Sequence, residues 1–512
     1  MTIGIAIRKN EYYDSVFLMG INNRIMKENG VIQSAVLMGS DSNKEVLKEL
    51  GFNSPKIDQA TANDLVIGVI SSSQDVVDSI LDHFSTWLTE VKVQKSGVEI
   101  RSLKEAIENN PNANLVSISV PGEFAGNETR KSLESGLNVF LFSDNVSVED
   151  ELSLKEYAQT KDLLVMGPDC GTSIIGGIGL GFSNAVRRGS IGVIAAAGTG
   201  LQEFTCMVHN AGFGISHAIG TGGRDLSDAI GGITTLSALD ILTQDKNTQV
   251  IVILSKPPGI NTLEKLVKRF QTVGKPIIGC FIGIEGTIEG EGTFFKRAKI
   301  IDEAVDLAIR QVGGSPVTGK NDVWENHEQL RKFSPGQKYL RGVFAGGTFT
   351  FQAQQILKSV GIRAHSNSPI DKTLKLKHPD TSIENSIVDM GDEYYMVGRP
   401  HPMIDSSQRA LRVIKEARDP NVAIILLDFI LGYNASMDPV GELVEVIQEA
   451  GKFAEKQGRH LVFVASVCGT NEDQQDIDMQ IQMLKDQGVI VFTSNAKAVQ
   501  YCAQLLNEVN HA

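Results

Sequence analysis

The sequence predicts an α/β fold of parallel sheets with a small α+β module in front. Three observations point there. From residue 100 onward, short apolar runs alternate with amphipathic stretches, the rhythm of strand–helix–strand units with right-handed crossovers. Two apolar runs, Ile191–Ala197 and Gly342–Ala345, end in glycine turns (Gly198-Thr199-Gly200 and Gly346-Gly347-Thr348) that lead into helical patterns. The two places match in spacing: Thr199 precedes Gly212 by 13 residues and Thr348 precedes Gly361 by 13, so the second region reads as a copy of the first.

In order along the chain, Ile3–Ile7, Val31–Met38 and Asp64–Ile70 read as strands, and Tyr12–Glu28, Asn43–Leu50 and Gln74–Trp87 as helices. This small, ferredoxin-like module (residues 1–95) shows no catalytic spacing and reads as structural. Val91 to Ser102 is a polar boundary. Residues 100–185 follow as a Rossmann-like unit, with strands at Asn114–Val120, Leu137–Phe142 and Leu163–Met166. The next unit, residues 186–315, holds the opening glycine turn and a second break, Gly220-Thr-Gly-Gly-Arg224-Asp225, expected to open another helix directly. Val250–Leu254 and Pro276–Phe281 complete its strands. Gly313–Pro335 is a linker, and residues 336–510 form the copy, in which Val422–Leu427 and Leu461–Ser466 echo the earlier pair. Glycines at C-terminal helix ends support the boundaries.

With 512 residues there is room for about three domains or slightly more, and 42% hydrophobic with 21% charged residues is ordinary for a soluble globular protein. A net charge of −13 argues against nucleic acid or an anionic membrane as partner. Five scattered cysteines without a C-x-x-C pair predict neither disulfides nor a metal site. No apolar run has membrane-spanning length, and Met1-Thr-Ile-Gly-Ile lacks the regions of a signal peptide, so the cytoplasm is expected.

Helix N-termini with free N–H groups attract anions. Gly198, Thr199, Gly200, Gly222, Gly223, Gly346, Gly347 and Thr348 are therefore candidate phosphate or carboxylate donors, facing one shared pocket if the two copies oppose each other. Each turn taken singly is also explained by glycine's backbone freedom. Arg224 suits a bidentate clamp, or a helix-start residue paired with Asp225 or Asp228. In the loop Arg399-Pro-His401-Pro402, His401 suits oxyanion donation or acid–base work, or a satisfied structural role. Cys170 has no neighbouring histidine in sequence and reads as packing, and Glu149-Asp150-Glu151 as a solvated helix start.

Ser119-Val-Pro121-Gly-Glu-Phe, Gly167-Pro168-Asp169-Cys170-Gly, Gly220-Thr-Gly-Gly-Arg-Asp, Asp389-Met-Gly391-Asp392 and Leu427-Asp-Phe-Ile-Leu-Gly432 resemble, in that order, motifs of succinyl-CoA synthetases. The resemblance runs from an α-subunit-like part into the CoA-ligase part of a β subunit and covers roughly residues 100 to 500. It implies Rossmann and flavodoxin-like parallel sheets, with Pro121, Gly167, Pro168, Asp169 and Cys170 as a pocket for CoA or a nucleotide-like ligand; no other cofactor and no metal is expected. Asp225, Arg399 and Asn434 join the phosphate and substrate candidates.

The departures are informative. Where those ligases carry phosphohistidine, Gly283 is followed by Ile-Glu-Gly-Thr-Ile-Glu-Gly-Glu-Gly-Thr, and no histidine lies between His217 and His327. Nor is there an ATP-grasp portion. This pattern resembles the FdrA family and implies a subunit of an oxamate carbamoyltransferase complex in allantoin breakdown. Its ligands would be carbamoyl phosphate, oxamate, oxalurate and phosphate, its partners other subunits, and its state oligomeric. Carbamoyl transfer needs fixed donors at the developing oxyanion, each worth about 3 kcal/mol in the transition state. The S-T-R-T loop of familiar carbamoyltransferases is absent; Glu128-Thr-Arg-Lys131 is only its nearest approach. The alternatives are a CoA-binding or acyl-CoA ligase protein without phosphohistidine, and a non-catalytic scaffold.

Overall fold

A computed structural model describes residues 2–11, 13, 15–26, 28–93, 100, 102–316, 324, 327–396 and 399–511. Most of the expected boundary at Val91–Ser102, and residues 317–323, 325 and 326 of the linker, lie outside the described residues. The chain forms two compact units, residues 1–109 with 396–400, and residues 110–395 with 401–512.

In the first unit, β1 (Thr2–Arg8), α1 (Ser15–Met26) and β2 (Val31–Met38) form a split βαβ, with β3 (Leu65–Ser71) antiparallel between the two strands. Helices α2 (Asp41–Glu49), α3 (Pro55–Asp58), α4 (Gln74–Val93) and α5 (Leu103–Asn109) complete it. Both faces of β3 are buried: Leu65, Ile67 and Val69 pack on Ile80 and Phe84, while Val66 packs on Phe52 and Ile57. Gly68 is required where the Phe52 ring crosses the sheet, since a Cβ there would lie 2.7 Å from that ring.

The second unit opens with a three-stranded parallel sheet, β4 (Leu115–Ile118), β5 (Asn138–Leu141) and β6 (Val165–Met166), with crossovers α6 (Gly122–Glu134) and α7 (Val148–Gln159). The glycine-rich stretch after it is an antiparallel hairpin, β7 (Thr172–Ile175) and β8 (Ile178–Gly181), turning at Gly176-Gly177 with φ of +60° and +88°. It pairs with β10 of the next sheet instead of extending the first, although its residues were expected to belong with segment 100–185.

That next sheet contains β9 (Arg188–Ala195), β10 (Ile215–Gly220), β11 (Val250–Ser255), β12 (Ile277–Phe281) and β13 (Lys296–Ala298), linked by α8 (Gly198–Asn210), α9 (Ile233–Gln244), α10 (Ile260–Phe270) and, after β13, α11 (Ile301–Gln311). The last sheet contains β14 (Tyr339–Phe344), β15 (Ser386–Asp389), β16 (Val422–Ile430), β17 (Val462–Cys468) and β18 (Ile490–Phe492). Helices α12 (His327–Leu330), α13 (Gly347–Ser359), α14 (Glu393–Met396), α15 (Ser407–Ala417), α16 (Gly441–Lys456), α17 (Ile477–Asp486) and α18 (Asn495–His511) accompany it.

The duplication read from glycine spacing is present in the topology. The orders β10-β9-β11-β12-β13 and β15-β14-β16-β17-β18 are the same flavodoxin-like 2-1-3-4-5 arrangement, parallel throughout. Strands such as β11 (VIVILS) and β16 (VAIILLDFI) are buried along their whole length, as expected of sheets covered on both faces. Helix α8 packs against both α11 and α13, bringing the two halves together. Among the described residues no helix is long and apolar enough to cross a membrane.

Candidate functional site

In doubly wound sheets ligands bind at the carboxyl ends of the strands where the order reverses. Helices α8 and α13 start at the two equivalent switch points, after β9 and β14. Their N-caps, Ala197 and Gly346, make no side-chain capping bond. The two helix starts touch: a Cβ on Gly200 would lie 2.8 Å from Thr348 Cγ2, and one on Gly346 3.1 Å from Thr199 Oγ1. Glycine permits that approach.

The two starts are not equivalent. At α13 the N–H groups of Ala345 and Gly346 donate to the Asp428 carboxylate at 2.8 Å each, and Asp428 is fully buried against Arg409 at 2.8 Å. The carboxylate of Asp428 thus sits just ahead of α13 and, among the described residues, does not engage the first-turn N–H groups from Gly347 onward. Among the described residues, no side chain plays that part at α8, and the buried Thr199 hydroxyl has no hydrogen-bond partner. Gly198 to Gly200 therefore keep free first-turn N–H groups.

At the adjoining start of α13 stand Asp389 and, beside Gly391, His401, with the charge of Lys256 acting on Asp389. Asp389, at the end of β15, accepts from Gly391 N–H at 3.0 Å, and its carboxyl is pushed up to about 7 by burial, opposed mainly by the Lys256 charge. A Cβ on Gly347 would lie 2.9 Å from its Oδ2, so the acid faces the start of α13. His401 accepts from Met403 N–H through Nδ1 at 3.2 Å, which leaves its proton on Nε2. Its ring lies 5.5 Å from Phe182, and burial followed by the Arg409 charge pushes it down to about 4, so it is a neutral donor at physiological pH. Lys256 follows β11 and is exposed, with its ammonium 5.4 Å from the Phe351 ring. Its positive charge favours the ionised form of both Asp389 and Asp169, opposing the rise that burial causes.

The Gly220–Asp225 break does not open a helix. After it the chain turns until Gly231 and Gly232, with φ of +76° and +73°, and α9 begins at Ile233. The anion at the start of α9 is Asp225 itself, fully buried and accepting from Thr234 N–H at 3.1 Å, Thr235 N–H at 2.9 Å and Lys155 Nζ at 2.8 Å. Arg224 donates to Glu151 at 3.0 Å and to the Val146 carbonyl at 2.7 Å, so its partner is neither Asp225 nor Asp228. Glu151 is accordingly buried, unlike its exposed neighbours Glu149 and Asp150. Gly222 is bound to its place by the Pro168 carbonyl, 2.3 Å from where a Cβ would sit, whereas Gly223 has room. Asn434 donates to the Gly181 carbonyl at 2.8 Å and ties two segments together. Arg399 belongs to the first compact unit, where its N–H donates to the Met396 carbonyl.

Pro121 caps α6 without a side-chain bond, beside exposed Val120 and Phe124, features that fit a nucleotide-like ligand with a phosphate and a flat ring. Asp169 runs against such a ligand: its carboxyl reaches the surface, yet crowding desolvates it and, together with Asp144, raises it to about 6. Cys170 is buried, raised to about 12 by burial, and its sulfur faces the Thr172 carbonyl at 3.6 Å, so it packs and does not react.

Sequence reasoning missed Lys256 and the roles of Asp389, Asp428 and Arg409. The available signal was positional. Ser255-Lys256-Pro257-Pro258 places a charge where an apolar strand stops, and Asp389 ends another strand.

Residues 343–505 match the CoA-ligase family model, and residues 1–103 match the model described as AllF, heavy metal-associated domain. The scaffold is thus CoA-ligase-like and similar to succinyl-CoA synthetase α subunits, with an AllF-like domain in front. Over 504 residues the chain is 42% identical to the relative named Uncharacterized protein YahF of Escherichia coli (strain K12), with 97% of each chain covered. The chain belongs to the YahF family. It is 27% identical over 190 residues to the Succinate--CoA ligase [ADP-forming] subunit alpha of Methanothermobacter thermautotrophicus, which is 36% of this chain and 63%, under two thirds, of that subunit. Among solved structures, the dinucleotide forming Acetyl-coenzyme A synthetase 1 of Ca. Korarchaeum cryptofilum, in complex with phosphate and ADP, aligns with TM-score 0.32 and 16% identity, covering 78% of this chain and 83% of that one.

The heavy-metal description of the N-terminal match does not fit the residues present. Residues 1–103 contain no cysteine, so no thiolate is available for a soft metal. Among the described residues no group of three or more His, Cys, Asp or Glu side chains is arranged to hold a metal ion.

Proposed function

We propose that the chain is an FdrA-type subunit of an oxamate carbamoyltransferase complex, interconverting oxalurate plus phosphate with oxamate plus carbamoyl phosphate in allantoin breakdown. One observation carries this reading: the open start of α8, with its unpartnered Thr199 hydroxyl, accompanies a loop after β12 that contains no histidine. Phosphate has donors there, and that loop supplies no imidazole to take a phosphoryl group covalently. The AllF-type match over residues 1–103 supports the allantoin side of the reading.

In the proposed reaction, phosphate sits over the first turn of α8 within the field of Lys256. A phosphate oxygen attacks the ureido carbonyl carbon of oxalurate, and the C–N bond to the oxamate nitrogen breaks. That nitrogen takes up the proton which phosphate gives up, so charges and atoms balance. Asp389, near half-protonation at neutral pH, is placed to relay the proton, and neutral His401 to donate from Nε2 to a substrate oxygen.

The test is phosphate-dependent oxalurate cleavage by the complex purified with its neighbouring-gene products. Thr199→Val and Lys256→Met are expected to lower kcat/KM at least about tenfold, the order of one lost donor or charge. A complex that works equally well without this chain would make it a scaffold and sink the proposal. A second reading, CoA binding in an acyl-CoA ligase assembly, is favoured by the CoA-ligase match at 343–505. Phosphate transfer from labelled ATP to the protein would select it.

A further inference from the structure

A cavity of about 560 Å³ lies at the carboxyl end of β12, away from the α8 opening. Phe281 and Gly283 form one side, Ile356 of α13 another, and Gln500 of α18 a third. Trp324 closes it and is held firmly: its N–H donates to Gln504 Oε1 at 3.2 Å, its carbonyl accepts from Gln504 Nε2 at 2.6 Å, and its ring meets Phe492 and Tyr501 edge-on. Among the described residues, the side-chain amides of Gln355 and Gln500 and the ammonium of Lys299 form no hydrogen bond or ion pair. The Lys299 main-chain N–H donates to Glu303 at 2.8 Å, leaving Nζ unpaired at the exposed mouth.

We propose that this cavity binds a nucleotide. Its volume lies in the ordinary range for small-molecule sites. An acyl chain would suit the aromatic and aliphatic walls but strand two amides, at a cost of about 1–3 kcal/mol for each buried group left unpaired. A sugar alone would satisfy the amides and leave the apolar walls unmatched. A flat heteroaromatic ring presents apolar faces to the half-buried Ile284, Ile300 and Trp324 and a polar edge to Gln355 and Gln500. Of the two charged groups in the lining, the Glu303 carboxylate is engaged by the Lys299 main-chain N–H, and the unpaired Lys299 ammonium selects a ring carrying an anionic substituent, hence a nucleotide over a base. Such a group could be a free nucleotide or the nucleotide end of CoA. No lining residue belongs to the α8 opening, so this inference stands apart from the carbamoyl-transfer reading.

The test titrates the full chain carrying Trp87→Phe, in which Trp324 is the remaining tryptophan, with AMP, adenosine and CoA, following fluorescence excited at the red edge. Equilibrium dialysis of the unaltered chain with labelled AMP gives the same answer if that variant folds poorly. AMP or CoA is expected to produce a saturable change, with AMP alone identifying a free nucleotide and CoA alone the CoA end. Lys299→Ala should weaken AMP about fivefold and leave adenosine unchanged, as befits one exposed charge contact. Gln355→Leu with Gln500→Leu should abolish the change. Absence of saturable binding by either AMP or CoA would overturn the proposal, as would binding indifferent to the double substitution.

Discussion

Asp389 links the chemistry of the opening to the stability of the fold. Its carboxyl is raised to about 7 in the folded chain, from 3.8, because burial disfavours the charged form. A raised value means the folded state holds the proton more tightly, so this group's stabilisation is fully present below about pH 4 and is lost as pH rises through about 7. Asp389→Asn is therefore expected to be more stable than the parent near pH 8, by up to about 4 kcal/mol, with the difference vanishing near pH 4. Urea denaturation at the two pH values measures it; an equal gap at both would show that protonation is not the cause. The same variant should lose activity if Asp389 moves the proton. Residues of this kind were hardly legible in the sequence. An aspartate at a strand end looks alike whether solvated or buried, and Asp389 became distinct only when the start of α13 and Lys256 converged on it. Glu203, raised by burial and by the Asp302 charge, and Asp302, raised by its own burial, were equally hidden inside amphipathic helical patterns.

At the level of elements, the glycine at position 200 lets α8 and α13 meet end to end. Gly200→Ala should cost roughly 1–3 kcal/mol through overpacking against the Thr348 methyl, and Thr348→Ser, which removes that methyl, should restore most of it. A double-mutant cycle on the unfolding midpoint decides. Asp225→Ala should cost more, roughly 3–5 kcal/mol, since it uncaps α9 and leaves buried Lys155 with Glu151 and the Thr221 carbonyl. The parallel strands and the copied order of the two halves could be read in advance, because uninterrupted apolar runs and repeated glycine offsets are local signals. The start of α9 could not. Gly220–Asp225 has the composition of a helix start, and nothing local showed that Asp225 folds forward to cap a helix beginning at Ile233. The adjacent Gly231-Gly232, where the left-handed backbone occurs, was the better marker.

Across the unit formed by residues 110–395 and 401–512, buried polar bonds join the halves beside a shared apolar cluster that includes Phe182, Cys206, Phe344 and Cys468. Asn184 donates to Asp473 at 2.8 Å, Thr470 to the Ala185 carbonyl at 2.7 Å, Asn495 N–H to Glu203 at 2.6 Å and Ser494 to Asp302 at 2.8 Å. Bonds this buried are broken together, so amides of β11 and β16 should exchange with the same opening free energy in hydrogen-exchange experiments. A half that opens about 2 kcal/mol more easily than the other would contradict this. The carboxylate of Asp428, lodged at the head of α13, has an arithmetic outcome. Two copies of one architecture suggest two receptors, yet the approach to one carries a fixed carboxylate of its own. A calorimetric titration with inorganic phosphate should therefore level off at a single equivalent per polypeptide, and Asp428→Asn, by discharging that carboxylate, is the change that could make room for a second.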